Sequence, residues 1–516
     1  MSQPESQNAA AYFVDRNAAG PAAEKTAFIE SEPEGRAIAY RELGVETGRM
    51  AGLLKRFCMR PEERAALLLL DEIAFPVAFW GALKAGVQPV ALNTLLSTAV
   101  YGQILADCRA RALFVSAALY PTVAPLLNGH PYLKHVFVVG GETPAGAYDF
   151  DAELAASQPE PTIDVSGDDC AFWLYSSGST GQPKGVRHVH SSLKFTADTY
   201  GAQVLGIQAD DVVFSVAKLF FAYGLGNAMT FPMSVGATTV LFSGRPTPEA
   251  ARDVLERLRP TIFCGVPTLY AALNAHFQQT GMPEAPLRRC ISAGEALPEE
   301  VGKRWRALSG VDILDGVGST EMLHIFLSNA PGDVVYGTSG VAVPGYEVKL
   351  VDEHGAEPAH GEVGELLVDG ASAAEGYWNQ RERNRATFEG RWTRTGDKYY
   401  RDGDGRYVYC GRTDDMFKVS GIWLAPFEVE QALVSHESVL EAAVVARRDD
   451  EGLEKPMAYV VLKNGAGRAG LDEALKEHVK AKVGMWKYPR WIEFADDLPK
   501  TATGKIQRFK LRADAS

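Results

Sequence analysis

A polar, glycine-rich segment at residues 175–185 carries the clearest chemistry in the chain. It reads Tyr-Ser-Ser-Gly-Ser-Thr-Gly-Gln-Pro-Lys-Gly and follows the apolar residues 171–174. Glycines let backbone N–H groups turn toward an anion, hydroxyl side chains add donors, and a lysine adds positive charge. Together these properties predict a polyphosphate site for ATP, with binding residues Ser176, Ser177, Gly178, Ser179, Thr180, Gly181 and Lys184.

The segment is not a P-loop, because that motif places Gly-Lys-Ser/Thr at the start of a helix. Here Pro183 precedes Lys184 and Gly185 follows it. The order Ser-Ser-Gly-Ser-Thr-Gly-x-Pro-Lys-Gly resembles the phosphate loop of the adenylate-forming superfamily: acyl-CoA synthetases, adenylation domains of peptide synthetases and beetle luciferases. The resemblance covers nearly the whole chain. It implies an enzyme that activates a carboxylic acid as its adenylate.

A second segment, Asp315-Gly316-Val317-Gly318-Ser319-Thr320-Glu321, places a hydroxyl and a carboxylate after a predicted glycine turn. Mg²⁺ commonly binds one or two protein carboxylates together with phosphate oxygens, so one glutamate suffices. The superfamily has an aromatic-Gly-x-Thr-Glu element here. The resemblance implies that Thr320 contacts the α-phosphate and that Glu321 holds Mg²⁺.

This element departs from the superfamily at Val317, where most members have a tyrosine that stacks on adenine. Adenine packing is therefore expected to depend more on residues 293–297, which resemble the family's adenine-flanking strand. Asp315 is the expected acceptor for the adenine amino group. The expected nucleotide-binding residues of these two segments are Gly294, Glu295, Ala296, Asp315, Gly316 and Gly318.

A third segment, Thr395-Gly396-Asp397, resembles the superfamily's Thr-Gly-Asp element. The resemblance implies that Asp397 accepts hydrogen bonds from the ribose hydroxyls and that Arg412 adds a ribose or phosphate contact. It also places Asp414 at the family's hinge position, where backbone rotation swings a small C-terminal domain.

Near the C-terminus, Lys505 in the segment 498–505 matches the superfamily's catalytic lysine. A carboxylate that attacks an α-phosphate brings two anions together, so a cation must offset their repulsion. A general base is not needed, because a carboxylic acid with a pKa of about 4 is already ionised at neutral pH.

Residues 218–227 and 320–329 together resemble the benzoate–CoA ligase branch of the superfamily. Large rings separated by small residues suit a flat substrate, although an ordinary core segment has the same composition. His324 is either part of the pocket wall or a core histidine with its hydrogen bonds satisfied. The resemblance implies a small aromatic acid as substrate, either benzoate or a hydroxy- or aminobenzoate, in a pocket formed by Phe221, Ala222, Tyr223, Gly224, His324 and Ile325.

The expected acyl acceptor is free coenzyme A, since no Gly-Gly-x-Ser carrier-arm site follows the small domain. Residues 419–422 resemble the loop that turns into the active site for thioester formation. There Gly421 leaves room for the pantetheine arm, and Lys418 is a further candidate.

The elements that must position these residues alternate between helices and strands. Helical spacing from Leu43 to Phe57 precedes a predicted strand at 65–70, and further strands are predicted at 112–115, 135–139, 238–242 and 261–263. The fold class is α/β: a large multilobed N-terminal domain over residues 1–412 and a small, mobile α+β lid over 413–516. The lid has predicted strands at 441–446 and 457–462 and a helix near 471–483.

The whole-chain composition narrows the function classes. Of 516 residues, 46% are hydrophobic and 23% are charged, and the net charge of −13 argues against a general nucleic-acid or anionic-membrane binder. The N-terminus lacks a signal-peptide pattern, so we expect a cytoplasmic protein, either monomer or homodimer. Six widely spaced cysteines suit reduced, structural thiols.

Two other functions remain open at this level. One is a stand-alone adenylation enzyme that loads a separate carrier protein. The other is a non-catalytic nucleotide-binding regulator built on the same fold, which the intact Lys505, Glu321 and Asp397 disfavour.

Overall fold

The structure is a computed structural model that describes residues 7–177, 183–413, 415–419, 422–449, 451–463, 467–500 and 506–514. Along this described part of the chain, no helix combines the length and apolar character needed to cross a membrane.

The large N-terminal domain alternates strands and helices. Its strands are β1 (Thr26–Glu30), β2 (Ala37–Ala39), β3 (Arg64–Leu68), β4 (Gln88–Ala91), β5 (Ala112–Ser116), β6 (His135–Val139), β7 (Tyr148–Asp149), β8 (Cys170–Ser177), β9 (Pro183–Val189), β10 (Val212–Ser215), β11 (Thr238–Leu241), β12 (Ile262–Gly265), β13 (Arg289–Ser292), β14 (Ile313–Gly318), β15 (Ile325–Ser328), β16 (Val341–Ala342), β17 (Glu347–Val351), β18 (Gly364–Asp369), β19 (Gly376–Tyr377), β20 (Phe388–Glu389), β21 (Trp392–Arg401) and β22 (Tyr407–Arg412). Its helices are α1 (Arg16–Ala19), α2 (Tyr40–Arg56), α3 (Ala74–Lys84), α4 (Thr98–Cys108), α5 (Tyr120–Leu127), α6 (Phe150–Ala155), α7 (His190–Thr196), α8 (Ala222–Leu225), α9 (Phe231–Val235), α10 (Pro248–Leu258), α11 (Pro267–Thr280), α12 (Glu299–Ser309) and α13 (Arg381–Thr387).

These strands form three sheets. One has the order β16-β15-β14-β13-β12-β10-β11-β1-β2, and a second has the order β19-β9-β8-β4-β3-β5-β6-β7. Both are parallel in their centres and antiparallel toward an edge. The third sheet is antiparallel, with the order β17-β18-β21-β20 and with β22 paired to β21.

The first two sheets form a five-layer arrangement with helices between them and on both outer faces. In β3, Ala65 and Leu67 face the shared central core, whereas Ala66 and Leu68 face a second core with α4 and α5. The other sheet alternates in the same way and covers its outer face with α10, α11 and α12. Strands buried on both faces read as continuous apolar runs, which is why these segments were recognisable from sequence.

The small C-terminal domain has strands β23 (Phe417–Val419), β24 (Ile422–Leu424), β25 (Val439–Arg448), β26 (Glu454–Leu462) and β27 (Trp491–Ala495), and helices α14 (Pro426–Val434), α15 (Leu471–Val483) and α16 (Arg508–Asp514). Strands β25, β26 and β27 form one sheet. Leu471, Leu475 and Val479 of α15 pack into its core, as the helical spacing predicts.

The fold class is confirmed, and so are the helices and strands predicted from helical spacing and apolar runs, with shifts of a few residues at their ends. The strand predicted at 65–70 ends at Leu68, because the chain bends into the turn before α3. The division at 412/413 stays a prediction; β22 ends at Arg412 and β23 begins at Phe417.

Candidate active site

Several predicted site residues lie outside the described part of the chain. They are Gly178, Ser179, Thr180 and Gly181 of the phosphate loop, the hinge residue Asp414, Gly421 and Lys505. For Ser177 and Lys418 only the backbone is described. The roles assigned to these residues stay predictions.

The two strands that flank the phosphate segment form an antiparallel pair. Ser176 of β8 lies opposite Lys184 of β9 in this pair. The Ser176 hydroxyl is buried and has no hydrogen-bond partner among the described residues. A buried hydroxyl without a partner is costly, so this group suits a ligand that supplies one.

The carboxylate of Glu321 lies close to Lys184. Their charged atoms, Nζ and Oε1, are 3.8 Å apart, and both side chains are largely buried. The Tyr377 hydroxyl donates to the same carboxylate at 2.8 Å, and the Lys184 ammonium lies 4.6 Å from the centre of the Tyr377 ring. Burial and the neighbouring carboxylate raise the pKa of Tyr377, so its hydroxyl remains a donor. Tyr377 was not predicted from the sequence.

Strand pairing explains how Tyr377 reaches this position. Tyr377 lies in β19, which pairs with β9, the strand that carries Lys184. A pairing between segments almost 200 positions apart leaves no periodic signal in one sequence. The signal that was available is the aromatic pair Tyr377-Trp378 after a glycine, which the sequence analysis did not use.

The segment 315–321 differs from its prediction in one respect. Gly316 and Gly318 are not in a turn but belong to β14, and the turn follows them at Ser319 to Leu323. A Cβ atom at Gly318 would lie 2.4 Å from the His324 carbonyl oxygen, and one at Gly316 would lie 2.8 Å from that of Leu327. The glycines thus permit β15 to approach closely.

A histidine of the second sheet supports the turn that carries Thr320 and Glu321. The His188 imidazole donates from Nε2 to the Thr320 carbonyl oxygen at 2.8 Å. Burial lowers the pKa of His188 to about 4, so the ring is neutral at pH 7. His188 was also missed by the sequence analysis. It fixes the Thr320 backbone without adding charge beside Glu321.

Residues 293–297 form a loop after β13, not the predicted adenine-flanking strand. The strand ends at Ser292, because Gly294 adopts a φ of +100° that extended backbone does not permit. Gly294 borders a cavity between the two domains, which is called the main cavity here, and Glu295 and Ala296 are half-buried. The Leu297 N–H donates to Asp315 Oδ2 at 3.2 Å.

Asp315 ends the parallel part of β14 and is buried. Its Oδ1 atom has no hydrogen-bond partner among the described residues, and burial raises the pKa of its carboxyl well above the usual range. Asp315 therefore has an acceptor atom without a partner next to the 293–297 loop, and its predicted contact with the adenine amino group stays a prediction.

Asp397 and Arg412 face each other across β21 and β22. Arg412 Nη1 lies 3.0 Å from Asp397 Oδ1 and donates to the Thr395 carbonyl at 2.8 Å. The two residues assigned to the nucleotide are therefore adjacent in the fold, and their binding roles stay predictions. Neither residue borders the main cavity.

The main cavity has a volume of about 770 Å³ and lies between the two domains. Phe221, Ala222, Tyr223, His324 and Ile325, five of the six predicted acyl-pocket residues, border it. The sixth, Gly224, does not. A Cβ there would lie 2.1 Å from the Lys218 carbonyl oxygen, so Gly224 lets α8 pack against the backbone of Lys218. Thr320 borders the same cavity, and Asp497, Leu498 and Lys500 border it from the small domain.

The wall of this cavity is neutral at His324. The imidazole is fully enclosed, packs 4.5 Å from the Phe231 ring and 5.0 Å from the Tyr200 ring, and has a pKa lowered to about 3 by burial. Gly226 leaves room for it, since a Cβ there would lie 2.4 Å from His324 Cδ2. His324 is buried and borders the cavity, as predicted for the pocket wall. Among the described residues neither ring nitrogen has a hydrogen-bond partner, so it is not a core histidine with its hydrogen bonds satisfied.

The residues present fit a magnesium ion. In the described ranges, His, Cys, Asp and Glu form no group of three or more that could hold a metal by itself. Mg²⁺ does not need such a group, because phosphate oxygens and water complete its shell. Glu321, oriented by Tyr377, offers the single carboxylate that this mode requires.

Comparison with known proteins gives a consistent result over the whole chain. The family model "AMP-binding enzyme" matches residues 14–378, and "AMP-binding enzyme C-terminal domain" matches residues 428–505. A benzoate–CoA ligase from Thauera aromatica is 53% identical over 99% of this chain and 96% of its own length. A 4-hydroxybenzoate–CoA/benzoate–CoA ligase from Rhodopseudomonas palustris is 51% identical over 98% of this chain and 94% of its own.

A solved structure extends the comparison to three dimensions. The anthranilate CoA ligase AuaEII, determined in complex with anthranoyl-AMP, superposes with a TM-score of 0.95 at 41% identity. The match covers 99% of this chain and 98% of that one.

Proposed function

The chain belongs to the AMP-binding enzyme family, and from this premise we propose that it is an AMP-forming benzoate–CoA ligase. Benzoate, or a close aryl acid, reacts with ATP to give an aryl-adenylate and diphosphate. Coenzyme A then displaces AMP and yields the aryl-CoA thioester. Relatives with aryl acids in their names cover nearly the full chain, which supports this choice of substrate class.

The observation that carries the proposal is a single cavity that aromatic side chains and Thr320 border together. Phe221, Tyr223 and Thr320 border one cavity. The buried, neutral His324 and the buried Ile325 add no charge to that wall. Burying a carboxylate against neutral side chains is unfavourable, so an aryl acid is expected to pack its ring there and turn its carboxylate toward Thr320.

Adenylation requires the substrate carboxylate to attack the α-phosphate. The Thr320 hydroxyl is proposed to donate to that phosphate and Lys505 to offset the developing repulsion, while Asp397 and Arg412 fix the ribose. Glu321 would hold Mg²⁺, which neutralises phosphate charge when bound. The remaining acceleration comes from positioning and from electrostatic stabilisation of charge, with no general base.

Thioester formation is proposed to follow a rotation of the small domain at Asp414, with the domain boundary at 412/413. The CoA thiol attacks the carbonyl carbon of the adenylate, and AMP leaves. Gly421 leaves space for the pantetheine arm, and Lys418 is a further candidate at this step. A cytoplasmic location and a monomeric or homodimeric state stay predictions.

Hydroxybenzoates and aminobenzoates are the alternative substrates, since relatives are named for both kinds of acid. A stand-alone enzyme that loads a carrier protein is the second candidate. The retained Glu321, Asp397 and Lys505 oppose a non-catalytic regulator.

A panel of acids tests the proposal: benzoate, the three hydroxybenzoates, 2-aminobenzoate and hexanoate. We expect ATP–diphosphate exchange with benzoate in the absence of CoA, and sustained AMP release only when CoA is added. The highest kcat/KM is expected for benzoate. Preference for hexanoate, or turnover only with a pantetheinylated carrier protein, would contradict it.

A further inference from the structure

Glu295 connects the large domain to the C-terminal tail. Its Oε1 atom accepts a hydrogen bond of 2.8 Å from the backbone N–H of Ile506. Ile506 directly follows Lys505 in the sequence. The contact therefore ties the residue that follows the proposed catalytic lysine in sequence to the loop of Gly294, which borders the cavity.

Among the described residues, several further contacts of this part of the tail lie within the small domain. Lys500 and Ile506 form an antiparallel bridge, and the Gln507 N–H donates to the Pro499 carbonyl at 2.7 Å. Lys500 also forms an ion pair of 2.8 Å with Glu441. These contacts join residues of the small domain to one another, whereas the hydrogen bond that Glu295 accepts requires the tail to lie against the large domain.

The chemistry of this bond makes it stronger than another hydrogen bond that joins the two domains. A carboxylate that accepts from a backbone N–H forms a charge-assisted hydrogen bond. The neighbouring contact, from the Glu299 N–H to Gln431 Oε1, is longer at 3.3 Å and involves a neutral amide acceptor. Glu295 thus presents the charged anchor point for the tail.

We propose that Glu295 is a positioning residue for adenylation, which holds the tail that carries Lys505 in place during the first half-reaction and releases it for the second. The proposal rests on the function proposed above. It differs from the nucleotide contact predicted for Glu295 from the sequence, because a positioning role acts on kcat and a nucleotide contact acts on the KM for ATP.

The test compares Glu295→Ala and Glu295→Gln with Glu300→Ala in the full-length chain. Glu300 is a matched control, because it lies nearby in α12 and its carboxylate faces Lys303 of the same helix at 3.9 Å. For Glu295→Ala we expect kcat for benzoate-dependent exchange to fall about 10-fold or more, as for the loss of a hydrogen bond to a charged group. Glu295→Gln, which keeps an acceptor, is expected to stay within about threefold of the wild type.

Two readouts separate positioning from a general structural defect. The reaction of supplied benzoyl-adenylate with CoA should stay within about twofold of wild type in Glu295→Ala, and so should the KM for ATP. Adding Glu295→Ala to Lys505→Ala should cause no further loss in exchange. Equal loss in both half-reactions, a raised KM for ATP with unchanged kcat, or wild-type exchange would each overturn the proposal.

Hydrogen exchange of the Ile506 amide tests the contact without any substrate. It should become at least about threefold faster in Glu295→Ala and stay unchanged in Glu300→Ala; equal rates in all three proteins would overturn the proposal. Wild-type protein that shows no exchange reaction with any aryl acid would refute the proposed function instead.

Discussion

The proposed site has a nucleotide end, which contains Asp397, Arg412, Glu321 and Lys184, and an aryl end around His324. The two ends differ in the charge of their side chains. At the nucleotide end, opposite charges face each other: Asp397 lies 3.0 Å from Arg412, and Glu321 lies 3.8 Å from Lys184. At the aryl end the side chains packed around His324 are uncharged: the Phe231 and Tyr200 rings lie against the imidazole, and Gly226 leaves room for it.

This difference separates two modes of recognition. Charged and hydrogen-bonding side chains fix a polyanion by matching its charges. A neutral pocket selects by shape, and one extra group there costs only a modest free energy unless it forces packed atoms apart. Substitutions at one end should therefore leave the KM of the other substrate nearly unchanged.

The largest effect is expected for Lys505→Ala, which removes the proposed cation between the two ends. Diphosphate exchange should fall about 100-fold or more, by analogy with the loss of one preorganised donor. The reaction of supplied benzoyl-adenylate with CoA should persist. Lys482→Ala, an exposed lysine of the same domain, is the control and should leave both rates intact. Equal loss of both half-reactions would count against the role of Lys505.

Asp397→Asn should weaken the binding of ATP and leave the binding of benzoate nearly unchanged. It removes a charge beside Arg412 and weakens the acceptor proposed for the ribose, so the KM for ATP should rise about 10-fold. The KM for benzoate should change less than about twofold. Asp404→Asn, in the exposed turn between the same two strands, is the matched control. A similar rise in both KM values would show that the two ends are not independent.

Gly226→Ala should impair the use of benzoate and leave the binding of ATP unchanged. The new Cβ would lie 2.4 Å from His324 Cδ2 and 2.7 Å from Nε2, so the imidazole must move into the cavity wall. The displaced imidazole takes space from the bound ring, so kcat/KM for benzoate should fall roughly 10-fold, with the KM for ATP unchanged. Gly403→Ala introduces a Cβ into open space and serves as control. Unaltered benzoate kinetics would remove His324 from the pocket wall.

Most candidate site residues lie in short segments that could be named from the sequence. Asp397 and Arg412 were assigned by resemblance to the family, and the structure places them in two neighbouring strands of one hairpin. The acyl-pocket residues follow one another in two short segments. Buried strands such as β5 were visible because their residues are apolar on both faces.

What the sequence could not predict depends on long-range pairing and on backbone geometry. Tyr377 and His188 support Glu321 and Thr320 from another sheet, and one sequence does not reveal which strands pair. Gly316 and Gly318 were assigned to a turn because glycine favours turns, yet they lie in a strand where close carbonyl oxygens exclude a side chain. The strand predicted at 293–297 was wrong because a positive φ at Gly294 ends the extended backbone.

The smallest effect concerns His188, the neutral imidazole at the nucleotide end. Its pKa is about 4 in the folded protein against 6.5 in the unfolded chain, so the unfolded chain binds a proton first as the pH falls. The stability that follows from this difference is fully present above about pH 6.5 and is lost as the pH falls toward 4, by roughly 1 kcal/mol between pH 6.5 and 5.5. Between pH 6.5 and 5.5, the Tm of His188→Asn should therefore fall by roughly 1–2 °C less than the Tm of the wild type, as measured by thermal unfolding. His354→Asn, an exposed histidine, should retain the wild-type slope. Identical slopes in all three proteins would mean that the His188 ring becomes protonated in the folded state, which would place a positive charge beside Glu321.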